Sequence, residues 1–244
     1  MIYCFHGLIG SPAHWRLLQT CASQPIKAPK IDYVAEPFEA ILERLKREIS
    51  CVREPVTLVG NSLGCVLALR LQDLGENLVL TAPPFEFDSS PLKLGRTKIS
   101  DYIDTLYVRQ GIPGLPRLKA EAEVQLKELL SSRAMLRHIR RLKSLAQTFE
   151  DPAALAAAGS KVTFVLGADD YATPVAAFRA FARRSAPRAR LKVVSDCGHA
   201  LPVEAPSELL KIIEDAEAVR RGPHNTGDRM FCRDLVGWQH STLV

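Results

Sequence analysis

Short apolar runs alternate with amphipathic stretches along most of the chain, and that alternation predicts its architecture. Residues 1–5, 30–33, 56–60, 77–81, 162–166 and 191–195 read as short, buried strands. Between them, residues 37–50 place Phe38, Ile41, Leu42, Leu45 and Ile49 at three- and four-residue spacing, the stripe of a helix with one buried face. Residues 14–23, with Trp15, Leu17, Leu18 and Cys21 inward, read as a second helix, and 63–74, 175–184 and 207–220 as three more. Strands buried on both faces and separated by helices make a parallel sheet covered on both sides.

Residues 85–149 interrupt this order. They carry helical stretches at 119–130 and 134–147 but no strand-like run. A long helical insertion within an α/β alternation predicts a lid over a site. The layout is then an α/β core from residues 1–84 and 150–220, a helical lid at 85–149, and a tail from 221 to 244. Gly222, Pro223, Asn225 and Gly227 break regular structure in that tail, which predicts disorder.

Composition changes this picture in two places. Residues 85–149 hold twelve Lys and Arg against seven Asp and Glu, an excess equal to the +5 of the whole chain. The positive charge therefore belongs to the lid, where Arg133, Arg137, Arg140 and Arg141 are candidates for binding a substrate carboxylate or phosphate. The alternative is a solvated helix face. Elsewhere basic residues form no run longer than two and no aromatic-interleaved stripe, which argues against a nucleic-acid partner. The six cysteines show neither a C-x-x-C pair nor zinc spacing, so they read as free thiols in a reducing compartment. Residues 1–5 lack the charged and apolar regions of a signal peptide, and no apolar run is long enough to span a bilayer. The expectation is a cytoplasmic protein with no membrane partner.

Chemistry enters at Gly60-Asn61-Ser62-Leu63-Gly64, a G-x-S-x-G set between a strand and a helix. A strand-to-helix turn this sharp strains the serine backbone and leaves no room for side chains at the flanking glycines. It exposes the Ser62 hydroxyl as a nucleophile. A serine hydroxyl needs a base within hydrogen-bond reach, and His199 follows the last strand in Gly198-His199-Ala200-Leu201-Pro202. His6 is the rival base, but its place after the first strand suits it better to orienting that loop. The third group is a carboxylate that fixes the histidine's tautomer. It belongs after strand 162–166, in Gly167-Ala168-Asp169-Asp170-Tyr171-Ala172-Thr173-Pro174. Asp170 is preferred for its spacing to Pro174, with Asp169 and Asp88 as alternatives. Oxyanion donors are expected from the backbone amides of Leu63 and Leu8, the latter in His6-Gly7-Leu8-Ile9-Gly10-Ser11. His6 and Gly7 are also candidates for substrate contact.

These motifs, together with Glu204 and Pro206 after Gly198-His199, stand in the order found in the α/β-hydrolase superfamily, which residues 1–84 and 150–215 resemble. The resemblance implies an α/β-hydrolase fold, a mostly parallel central sheet flanked by helices with a helical lid insertion. It also implies a Ser–Asp–His triad of Ser62, Asp170 and His199, a backbone oxyanion hole, and no cofactor; the lack of an H-x-x-x-H motif or clustered carboxylates separately argues against a metal enzyme. The opening His6-Gly7-Leu8-Ile9-Gly10-Ser11 with Trp15 resembles the menaquinone-pathway 2-succinyl-6-hydroxy-2,4-cyclohexadiene-1-carboxylate synthases, and small carboxylesterases of the pimeloyl-ester type share much of it. Three functions follow as expectations: hydrolysis of a small carboxylic ester or thioester through an acyl-enzyme on Ser62, elimination with the same triad, or ligand binding with little turnover.

Overall fold

The computed structural model describes residues 1–85, 98–131 and 135–221. Its elements follow the chain as β1 Ile2–Phe5, α1 Arg16–Cys21, β2 Ile26–Lys27, α2 Phe38–Ser50, β3 Thr57–Asn61, α3 Gly64–Arg70 and β4 Asn77–Thr81. After β4 come α4 Ile99–Thr105, α5 Leu115–Ser131, α6 Met135–Gln147 and α7 Pro152–Ala158. The chain closes with β5 Val162–Gly167, α8 Val175–Ser185, β6 Arg190–Val194, α9 Leu201–Glu204 and α10 Pro206–Arg221.

The six strands form one sheet in the order β2-β1-β3-β4-β5-β6, with every neighbouring pair parallel. Alternate residues of each strand serve opposite faces, as the two-residue period of a strand requires. Tyr3, Phe5, Leu58, Leu80, Phe164 and Leu166 join the larger core, under α2, α3 and α8. Ile2, Cys4, Val59, Val79 and Val165 join a second core with Trp15, Leu209 and Ile213, under α1 and α10. The larger core carries an aromatic cluster in which Phe164 and Phe178 meet edge-on at 5.0 Å and Phe85 lies 4.9 Å from Phe181.

Several sequence expectations need correction. Residues 30–33 form no strand; the edge strand is the two-residue β2, earlier in the chain. Cys21 is exposed, because α1 is short and turns only its Leu18 side fully inward. The expected strand at 191–195 is not buried throughout: β6 is an edge strand, and Val193 lies 40% exposed. Residues 63–74 divide into α3 and a 3₁₀ turn at Gln72–Leu74. The helical insertion is real, with α4, α5 and α6 between β4 and β5. The expected tail lies outside the described residues beyond Arg221. Among the described residues no helix is long and apolar enough to cross a membrane.

Candidate active site

In an open parallel sheet the crevice lies beyond the carboxyl ends of the strands, where the strand order reverses. Here β1 has β2 on one side and β3 on the other, so the reversal falls between β1 and β3. The chain leaving β1 carries Gly7 and Leu8, and the chain leaving β3 carries Ser62. Asp170 follows β5, and His199 follows β6.

Ser62 has φ of +51°, a left-handed conformation unusual for a residue with a side chain. Packing enforces it. A Cβ on Gly60 would lie 2.6 Å from the backbone of Gly64 and Cys65, and one on Gly64 would lie 2.0 Å from the Phe5 carbonyl oxygen. The serine is pinned further by its amide, which donates to the Thr81 carbonyl at 3.0 Å. Asn61 Nδ2 donates to Thr81 Oγ1 at 3.0 Å and to the His199 carbonyl at 3.1 Å, tying the turn to the histidine loop.

Of the two adjacent aspartates, Asp169 is exposed and Asp170 is 4% exposed. Asp170 lies against His199, with Nδ1 to Oδ2 at 3.0 Å, and it accepts the amides of Ala172 at 2.8 Å and Thr173 at 3.1 Å. Burial works to raise its carboxyl. The adjacent imidazole and the two amides outweigh that and hold it below the ordinary carboxylate value. Burial works to lower His199, and the Asp170 charge and hydrogen bond, with the charge of Glu204, lift it above 6.5. The alternative Asp88 lies outside the described residues.

His6 is buried and its Nε2 accepts the Ile31 amide at 3.3 Å, so Nδ1 carries the proton and donates to the Gly7 carbonyl at 2.8 Å. Burial lowers its pKa to about 4, which keeps the ring neutral. It braces the loop after β1 and faces a separate cavity of about 440 Å³ that shares Leu8, Ile9 and Gly10 with the serine cavity. The amides of Leu8 and Leu63 have no acceptor among the described residues.

Ser62 and His199 line one cavity of about 80 Å³ with Gly7, Leu8, Ile9, Asn61 and Ala200. Its roof comes from the helical insertion: Tyr102, Leu106, Tyr107 and Leu126. No Lys or Arg lines it among the described residues. Arg137 and Arg140 are exposed on α6, Arg141 donates to the Glu36 carbonyl, and Arg133 lies outside the described residues. The structure therefore does not bring Arg137 to the serine, because the basic face of α6 points to solvent.

Sequence reasoning missed the roof residues and His14, since none of them stands in a recognisable spacing. The nearest signal was Ser11-Pro12-Ala13-His14, a capping-box spacing with His in place of Glu. Glu204, noted only as part of the histidine motif, proves to be buried. It accepts the amides of Gly198, beside His199, and Val108, beside Tyr107.

Solved structures share this arrangement of elements. A membrane phospholipase A described as a bacterial virulence factor superposes with a TM-score of 0.69 at 15% identity, covering 91% of this chain and 79% of its own. A hydrolase from the sediment metagenome of the Mar Chica lagoon, Morocco, gives 0.64 at 21%, covering 90% and 91%. A meta-cleavage product hydrolase of Pseudomonas fluorescens IP01 gives 0.60 at 15%, covering 88% and 89%. No curated protein matches the chain. At these identities the likeness is one of fold. The sequence itself matches the profile of the Alpha/beta hydrolase family over residues 2–212, and the chain belongs to that family.

Proposed function

We propose that the protein is a serine hydrolase that cleaves a small carboxylic ester or thioester through an acyl-enzyme on Ser62. The observation that carries this reading is the pairing of His199 with buried Asp170 beside the cavity that holds the strained Ser62. In the reaction, Ser62 Oγ attacks the carbonyl carbon while His199 Nε2 takes the hydroxyl proton. Asp170 holds Nδ1–H and stabilises the imidazolium. The amides of Leu8 and Leu63 receive the developing oxyanion. When the tetrahedral adduct collapses, the bond to the leaving oxygen or sulfur breaks and His199 supplies its proton. A water, deprotonated by His199, then releases the carboxylic acid and restores the serine.

The insertion at residues 85–149 acts in this reading as a lid, supported by the four roof side chains that α4, α5 and the segment between them contribute. Among the described residues the cavity's lining is largely apolar and holds no Lys or Arg, which suits a small neutral acyl group. The buried thiols of Cys4, Cys65 and Cys197 fit a reducing, cytoplasmic setting.

Intact-protein mass spectrometry after treatment with a fluorophosphonate tests the proposal. One adduct on the native protein, absent from Ser62→Ala, is expected. A folded native protein that takes no label would refute an activated serine and leave a binding protein on a hydrolase fold.

A further inference from the structure

His14 and Tyr107 lie 93 residues apart in sequence and meet at the roof of the serine cavity, where His14 Nε2 is 3.0 Å from the Tyr107 hydroxyl. Both are buried, at 8% and 4% exposure, and both line the cavity with Ser62 and His199. The direction of their hydrogen bond is fixed from behind. The Ser11 amide donates to His14 Nδ1 at 3.1 Å, so that nitrogen must present a lone pair and the ring proton must sit on Nε2. Burial holds the imidazole below its ordinary value, which keeps it in this neutral form. His14 is therefore the donor and the tyrosine oxygen the acceptor.

That assignment leaves the Tyr107 O–H proton uncommitted, and no acceptor for it exists among the described residues. Burial, reinforced by the charge of Glu204, raises the phenol well above its ordinary value, so the hydroxyl stays protonated. A buried donor without a partner is costly, and a cavity that keeps one gains when a ligand oxygen accepts it. The ring is firmly placed. Lys119 Nζ sits 5.6 Å from its centroid, and the next amide, Val108, is held by Glu204. Arg109 then grips the carbonyls of Ser195, Asp196 and Glu204 at 3.0, 2.7 and 2.8 Å. The tyrosine thus rides on the same backbone network as the His199 loop.

We propose that Tyr107 reads the substrate: its hydroxyl, oriented by His14, donates to a second oxygen of the ester, a carbonyl, ether or hydroxyl oxygen near the scissile carbonyl. This rests on the hydrolase reading above and narrows its substrate to oxygen-bearing small esters. The oxyanion itself has the two amides, so the tyrosine's part is selectivity.

Paired esters that exchange one CH₂ for oxygen test this. They are 4-nitrophenyl methoxyacetate against the butanoate for the acyl side, and 2-methoxyethyl acetate against butyl acetate for the alcohol side. The ratio of kcat/KM within each pair is compared between the native protein and Tyr107→Phe, which cancels both intrinsic reactivity and any general loss of active enzyme. In one pair the native preference for oxygen is expected to fall about tenfold, the worth of one neutral hydrogen bond, and His14→Ala is expected to lower the same ratio. Ratios unchanged in both pairs overturn the proposal, whatever the absolute rates; an equal loss on all esters would make Tyr107 an oxyanion donor or a structural residue. Should the native protein turn over no ester and take no fluorophosphonate, the hydrolase reading falls. Tyr107 is then decided separately by calorimetric affinities for the same ether and alkyl pairs, with equal effects of Tyr107→Phe on both members counting against it.

Discussion

Asp170 and His199 move each other's titration in opposite directions, and both shifts have consequences that a pH series can read. Folding holds Asp170 below its ordinary 3.8, so its contribution to stability is present above that pH and is lost as pH falls through the lower folded value. Folding holds His199 above 6.5, so its contribution is complete below that pH and is lost as pH rises through the folded value. The pair therefore stabilises most between about pH 4 and 6.5. The proposed reaction asks for the opposite state of the histidine, since only the neutral ring accepts the serine proton. The acid limb of kcat/KM is accordingly expected to rise through a pKa above 6.5. In Asp170→Asn the carboxylate that lifts His199 is gone, and the limb should move to lower pH. Turnover should fall on the order of ten-thousand-fold through loss of the correct tautomer. Steady-state rates from pH 4 to 9 on both proteins decide this. A limb that stays in place in the variant would show that Asp170 does not set the histidine.

At the scale of elements, the site is an assembly of loops held by a few buried polar groups. Glu204, on the four-residue α9, is the clearest of these: one carboxylate oxygen takes the Gly198 amide and the other the Val108 amide. It thereby joins the loop of His199 to the segment that follows α4. A glutamine of the same shape keeps one acceptor but turns an amide N–H₂ toward the second backbone donor. Glu204→Gln is expected to lose about 1–3 kcal/mol of stability, the cost of an unsatisfied buried donor, and to lower turnover with it. Urea unfolding and ester kinetics on the same preparation measure both. Full stability and activity in the variant would remove Glu204 from this structural role. Asn61 makes a similar join between the turn after β3 and the His199 carbonyl.

Across the whole molecule, stability resides in the two cores that the sheet separates. The larger one continues from the sheet through the aromatic cluster, where Phe178 is fully buried among Phe85, Phe164 and Phe181. Phe178→Ala removes a ring that three neighbours pack against, and the close-packed interior cannot fill the gap. A loss of about 3–5 kcal/mol is expected, read from chemical denaturation. A loss below about 1 kcal/mol would mean that the cluster rearranges to close the cavity. The smaller core, built around Trp15 with α10 and α1, seals the opposite face of the sheet.

The sequence by itself determined those features that depend on local spacing. Alternation gave the strand and helix order, because burial on both faces leaves a continuous apolar run in β1, β3, β4 and β5, whereas a half-buried helix leaves a stripe. Gly60-x-Ser62-x-Gly64 was legible because its glycines are demanded by contacts within a few residues and with the neighbouring β1 chain. Edge position was not legible, so β6 was expected to be buried and β2 was placed too late. Strand neighbours are set by long-range pairing that a local pattern does not encode. The charge of the insertion was readable, but its direction was not: α6 turns Arg137 and Arg140 to solvent, and only packing decides which helix face meets the core. Between Asp169 and Asp170 the spacing to Pro174 favoured Asp170, but the contact itself came with the tertiary structure, since adjacent residues leave the strand end in opposite directions and only Asp170 meets His199. The meeting of His14 with Tyr107 belongs wholly to the fold, because 93 residues of chain must close before either side chain has a partner.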